Sequence, residues 1–227
     1  MTTINWRIGI EVELLAPPGK SRLDLANAIA TLHNGSTVRR FFHPQSEPSK
    51  VPGTPIFHNL TLGYEILNDR QECIAQCVDD LTLQADLIRK SPPKPGWYRI
   101  IRDDERLLRL IGRQADANQP LQTVLEPIGA LFGTQPNAGP GGMVGVNDES
   151  GASVAIAAPL PGERERPCEL ITAPLESNHQ EHLESLLSLA RSLGFTAPVE
   201  GATHIHFDAT KDRGLNNIQN MNGRVVV

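Results

Sequence analysis

The run Ile8-Gly9-Ile10-Glu11-Val12-Glu13-Leu14-Leu15 constrains the fold more than any other stretch of the chain. Ile8, Ile10, Val12 and Leu14 alternate with Gly9, Glu11 and Glu13, a period of two that gives a strand one apolar and one polar face. Such a strand belongs in a sheet packed on one side only. Carboxylates at i and i+2 then stand about 7 Å apart on the other side. They repel one another unless a proton or a cation intervenes. Magnesium or manganese is the kind of ion that carboxylate oxygens suit. Taken alone, the pair reads more simply as the lining of a solvated sheet face. Gly9, on the same face, favours close approach of another group to the backbone.

Ala16-Pro17-Pro18-Gly19 stops this strand. Ser21 followed by Asp24 predicts a capped helix with Leu25, Ala28, Ile29 and Leu32 on its apolar side and Gly35 at its end. The pattern then predicts a strand over 38–42, a proline-rich loop over 43–55 and one or two short strands around Gly63 within 56–67. Asn68 or Asp69 opens a longer helix to about residue 90, with Ile74, Val78, Leu81, Ala85 and Ile88 on one face and Cys73 and Cys77 sharing another. Residues 91–96 read as a hinge or linker, 97–102 as extended, and 103–111 as a helix. A short helix kinked by Pro127 is expected over 120–132, and a surface loop over 135–145. Further strands are expected at 154–158, 168–171 and 203–209. A helix beginning at Asn178, with Glu181 completing a capping box, precedes the last of them. The tail with Asn216, Asn217, Asn220 and Asn222 carries no core pattern.

Strands that come singly or in pairs between helices predict an α+β fold, a mainly antiparallel sheet with helices covering one face. The length of 227 residues suits a single domain over 1–227. A formal charge of −5, with no basic tail, argues against nucleic acid as a partner. No apolar run approaches eighteen residues and no basic-then-apolar leader opens the chain, so neither a membrane span nor a secretory signal is expected. Three cysteines cannot all pair within one chain, and a cytoplasmic location is the expectation.

Two further polar signatures lie downstream. In Thr203-His204-Ile205-His206-Phe207-Asp208, His204, His206 and Asp208 share a strand face, and could bind a metal or contact phosphate. A pair of half-buried, hydrogen-bonded histidines is the plainer alternative. The spacing is not that of a zinc site. Glu169 opens the apolar strand Glu169-Leu170-Ile171-Thr172-Ala173-Pro174-Leu175, where a carboxylate needs a cation, an arginine or backbone N–H groups. Arg164 or Arg166 could supply an ordinary ion pair. No Walker-type loop is present, since Gly139 to Gly142 is not followed by Lys-Ser/Thr.

In this order, Gly9-x-Glu11-x-Glu13, Glu169-Leu-Ile-Thr-x-Pro-Leu175 and Gly201-x-x-His204-x-His206 resemble the amidoligase family, a distant branch of the glutamine synthetase and glutamate–cysteine ligase superfamily. Thr172-Ala173 stands where that family usually has Ser-Pro. The 21 residues after His206 hold no counterpart of its late Glu-Phe-Arg-like segment, so the domain can be incomplete at its C-terminus. The resemblance implies a glutamine synthetase-like antiparallel sheet whose open face holds ATP and Mg2+, with Mn2+ as a substitute. It implies that Glu11, Glu13, Glu169 and His204 hold metal, and that His206 contacts phosphate or substrate. Strand geometry adds Asp208 as a cofactor contact. Arg39 and Arg40 are candidates for a phosphate clamp, of which only one can face the site.

The expected function is therefore ATP-dependent joining of a small-molecule or peptide carboxylate to an amine through an acyl phosphate. A nucleotide- or metal-binding relative without turnover, a metal-dependent hydrolase, and an interaction protein are the competing expectations.

Overall fold

The computed structural model describes residues 7–43 and 46–208, the last of these by its backbone alone. The chain gathers into two compact units. One is built from the described residues of 1–38, 64–85 and 166–227, the other from 39–63 and 86–165.

In the first unit, β1 (Arg7–Leu15) lies between β11 (Thr203–Asp208) and β10 (Pro167–Thr172), and β5 (Cys73–Val78) follows β10. The end of β4 (Ile56–Leu67) completes this set by pairing with β5, and all these pairs are antiparallel. The alternation in β1 has the predicted effect. Ile10, Val12 and Leu14 are buried, as are Leu170, Cys168, Ala75, Cys77, Tyr64 and Ile66. Each fully buried aliphatic side chain is worth about 1.5–3 kcal/mol over an exposed one, so the register of β1 is strongly fixed. Helix α1 (Arg22–Leu32) packs against β5 and against α4 (His179–Ser192). Its Ser21–Asp24 capping box forms as expected. The buried stripe is rotated from the expected one: Leu25, Ala26, Ile29 and Ala30 are inside, while Leu32 is half exposed. Gly35 is required by contact, since a Cβ there would meet the Leu67 carbonyl oxygen at 1.8 Å.

In the second unit the first part of β4 pairs with β6 (Pro93–Arg102), which is followed by β9 (Ser153–Pro161), β8 (Val144–Asn147) and β7 (Asn137–Ala138). Strands β2 (Ser36–Phe42) and β3 (Glu47–Pro48) also pair with β4. Helix α2 (Glu105–Gln114) packs on β6 and β9, and α3 (Glu126–Leu131) on β8. Leu60, Leu62, Tyr98, Ile100, Leu108, Ile111, Leu125, Ile128, Val146 and Ala155 belong to one core cluster there. The fold is α+β, mainly antiparallel, with helices packed against sheet. No helix among the described residues is long and apolar enough to cross a membrane.

Four local expectations are corrected. The helix expected over 68–90 is instead β5 followed by turns and irregular backbone over 79–92. Asn68 caps a hairpin turn, its Oδ1 accepting from the N–H groups of Arg70 and Glu72 at 2.9 Å each. Ala75 and Cys77 are buried in the sheet, where pairing with neighbouring strands outweighs the helical spacing. The proline-rich 91–96 is largely the start of β6, with Gly96 at φ +84° and a register shift between Pro93 and Tyr98. Pro127 sits in the first turn of α3, where its missing N–H costs nothing, so it starts a helix and kinks none. Asn178 precedes α4 as expected but adopts φ +52° and makes no side-chain cap.

Two other segments differ in extent. The 56–67 stretch is one continuous strand, and 135–145 contains β7 and the start of β8. The asparagine-rich tail lies outside the described residues.

Candidate metal centre

The polar face of the first unit's sheet is set by cross-strand register. Glu13 stands opposite Glu169, and Glu169 opposite Val78 on the next strand. On the other side of β1, Glu11 stands opposite His204 and Gly9 opposite His206. Directly opposed residues share a face, so three separate sequence motifs converge through backbone pairing alone.

Glu11 is the hub. One carboxylate oxygen lies 3.2 Å from His204 Nδ1 and the other 3.0 Å from His206 Nε2. The side chains of Glu11 and His204 are 22% and 15% exposed, whereas His206 is 59% exposed. Glu11 also approaches Glu169, their carboxylate oxygens lying within 4.8 Å of one another. Burial pushes the Glu169 carboxyl up to about 8, and the nearby acids Glu11, Asp80 and Glu13 push in the same direction. At neutral pH the pair therefore holds one proton. Ligand atoms from Glu11, Glu169 and His204 lie within 4.8 Å of one another.

Two hard carboxylate oxygens and one imidazole nitrogen form a donor set that accepts magnesium and suits manganese. Bonds of about 2.1 Å place the ligands of an octahedral ion about 3 to 4 Å apart, so small side-chain rotations close the cluster around such an ion. The retained proton is what a cation would displace.

Glu13 lies on the same face and is tied to the backbone of Ala202. It is buried, and its Oε2 accepts from the Ala202 N–H at 2.8 Å while its own N–H donates to the Ala202 carbonyl at 3.1 Å. Burial raises its carboxyl above the ordinary range, partly offset by the Ala202 N–H. Thr172 is the hydroxyl of the Glu169 motif, and it accepts from the Ile10 N–H at 3.0 Å, fastening β10 to β1.

Gly9 is less constrained than its position suggests, because an added Cβ would meet only His206 Cβ at 3.8 Å. The backbone of Asp208 pairs with Arg7, and its side chain lies outside the described residues. Arg166 donates to the Ala16 carbonyl at 2.8 Å.

Arg39 and Arg40 fall in the second unit. Arg39 donates to the Gly96 carbonyl, and its charge acts on buried Tyr98, whose hydroxyl is pushed up to about 12 chiefly by burial. Arg40, its neighbour on β2, is exposed.

Sequence reasoning missed Asp80. It lies two residues past the end of β5, is only 5% exposed, and acts electrostatically on both Glu13 and Glu169. Its Oδ1 accepts from the Thr82 N–H at 2.8 Å and the Thr82 hydroxyl at 2.6 Å, which fixes it at the edge of the cluster. The signal available was the pair Asp79-Asp80 at the end of an alternating run, hidden by the helical reading of that segment.

A family model described as "Putative amidoligase enzyme" matches residues 4–224, nearly the whole chain. No curated protein and no solved structure matches it.

Proposed function

The chain belongs to the amidoligase family, and from that premise we propose that it is an ATP- and magnesium-dependent ligase joining a carboxylate to an amine. The observation that carries the reading is the Glu11–Glu169–His204 cluster, which keeps a proton where a divalent cation fits. Glu11, Glu169 and His204 would hold the ion, with Glu13 and Asp80 adding negative charge beside it. The bound ion would offset the repulsion between a substrate carboxylate and the phosphates of ATP.

In the proposed reaction a carboxylate oxygen bonds to the terminal phosphorus of ATP as the bond to ADP breaks. The amine nitrogen then bonds to the acyl carbon, phosphate leaves with the bonding pair, and the nitrogen gives up a proton. Carboxylate oxygen is a poor leaving group and phosphate a good one, which is why ATP is consumed. Exposed His206, bound to the far oxygen of Glu11, is assigned to a phosphate or substrate oxygen, a contact that strengthens as charge builds there.

The test is ADP release measured across pairs of carboxylates and amines, with and without Mg2+. Release that needs the metal, the carboxylate and the amine together, and that disappears in Glu169→Gln with the fold intact by circular dichroism, supports the ligase. Hydrolysis of an amide without ATP would replace it with a metal-dependent hydrolase.

A further inference from the structure

The second unit carries a polar constellation that the cation cluster does not use. On β4, Asn59 and Thr61 are each 0% exposed. They lie two apart, on the face opposite core residues Leu60 and Leu62. Asn59 Oδ1 and Thr61 Oγ1 are buried without a hydrogen-bond partner. Interior polar atoms are almost always satisfied, so two such atoms side by side on one strand mark a place suited to the donors of a ligand.

The cross-strand neighbours supply the charges. Thr61 stands opposite Arg99, and Glu47 stands opposite Phe57, two residues before Asn59 on the same face. Arg99 Nη1 lies 2.7 Å from Glu47 Oε2, and Asn59 Nδ2 reaches that same oxygen at 3.4 Å. The ion pair is part-exposed, at 25% for Arg99 and 35% for Glu47, while the two unsatisfied atoms beneath are sealed.

The geometry points to a binding site for the head group of an α-amino acid. An ammonium group has three N–H donors, and Glu47, Asn59 Oδ1 and Thr61 Oγ1 offer three acceptors. The adjoining carboxylate of the same molecule matches the Arg99 guanidinium, which binds such a group bidentately. Without ligand, Arg99 and Glu47 neutralise each other. A zwitterion inserted between them exchanges one ion pair for two and satisfies both buried oxygens. A part-exposed pair opens at little cost, whereas a buried oxygen without a donor is expensive, so the exchange runs toward the ligand. A molecule with only one of the two charges would break the Arg99–Glu47 pair and restore only half of it. In the ligase reading an α-amino acid bound here is a candidate substrate, and that role rests on the reading; the binding itself does not.

The test is saturation-transfer NMR and titration of the full chain, without ATP, using glycine and the common L-α-amino acids. Methylammonium and acetate serve as single-charge controls. The expected result is that at least one zwitterion binds while both controls bind at least about tenfold more weakly. Thr61→Val and Glu47→Gln should each lower its affinity about tenfold, and Thr61→Ser should restore it. An unchanged circular dichroism spectrum in these variants reports that the fold survives. No binding by any α-amino acid, equal binding by acetate or methylammonium, or full affinity in Thr61→Val would overturn the site and leave buried water as the occupant. Because no turnover is read, failure here leaves the ligase assignment standing, and failure of ADP release leaves this site standing.

Discussion

Glu11 and Glu169, on neighbouring strands, bring carboxylate oxygens within 4.8 Å of one another. Glu169 keeps its proton to about pH 8, against 4.5 for an ordinary glutamate. With both groups ionised, the sheet gains no stability from this arrangement. Acids crowded on one face are unfavourable when ionised, and they persist where function requires them.

The first consequence concerns stability. The folded chain holds a proton on Glu169 that the unfolded chain releases, so between about pH 4.5 and 8 the folded state binds more protons. Stability from this group is present in full below about 4.5 and is lost progressively as pH rises to about 8. The total is on the order of a few kcal/mol, a shift of several degrees for a chain of this size. The melting temperature of metal-free protein should therefore fall between pH 5 and 8.5, and Glu169→Gln should flatten the profile and stabilise the protein at pH 8. A Glu169→Gln profile parallel to the parent's would remove Glu169 as the cause.

The second follows from the same proton. A cation must expel it, so Mn2+ affinity should rise from pH 6 to about 8 and then level off. Calorimetry in two buffers of different ionisation heat should record close to one proton released per ion at pH 7. Affinity independent of pH over this range would mean that the ion binds elsewhere.

Much of this site was legible in the sequence, and the reason is local. On strands, a spacing of two residues fixes the face, so Glu11 with Glu13 and His204 with His206 could be paired from their spacing alone. Register could not be read, because it depends on which strands become neighbours. That β10 and β11 flank β1, bringing Glu169 and His204 to opposite sides of Glu11, is a tertiary fact. Asp80 was hidden for a different reason. Ile74, Val78, Leu81, Ala85 and Ile88 satisfy helical spacing, and only the pairing of β5 with β4 and β10 overrides it. Glu13 carries a contact that no motif announces, since its Oε2 accepts from the Ala202 N–H.

The two histidines should separate on substitution. His204 is mostly enclosed and belongs to the three-residue cluster, whereas His206 is largely exposed and touches only the far oxygen of Glu11 in this set. His204→Ala should weaken Mn2+ binding about 10- to 100-fold. His206→Ala, which removes an exposed pair, should change it by no more than about fivefold. In the ligase reading, His206→Ala should still slow ADP release at saturating metal. Equal losses of metal affinity in both variants would contradict the asymmetry of the cluster.

Beneath the site, Arg22 and Asp79 form an ion pair in which both side chains are 0% exposed, at 3.6 Å, and Arg22 also donates to the Pro167 carbonyl at 3.1 Å. This contact joins α1, the end of β5 and the start of β10, and Asp79 adjoins the Asp80 that faces Glu13 and Glu169. Removing one member of a buried pair leaves a charge without compensation, so Arg22→Met should cost about 3–5 kcal/mol in urea denaturation. Replacing both with apolar residues, Arg22→Met with Asp79→Leu, should cost less than either single change, because no stranded charge remains. The doubly substituted protein should nevertheless bind Mn2+ more weakly, since the turn that carries Asp80 has lost its anchor. Additive single costs below about 1 kcal/mol each would show that the pair is not coupled, and unchanged Mn2+ binding in the double variant would detach it from the site above.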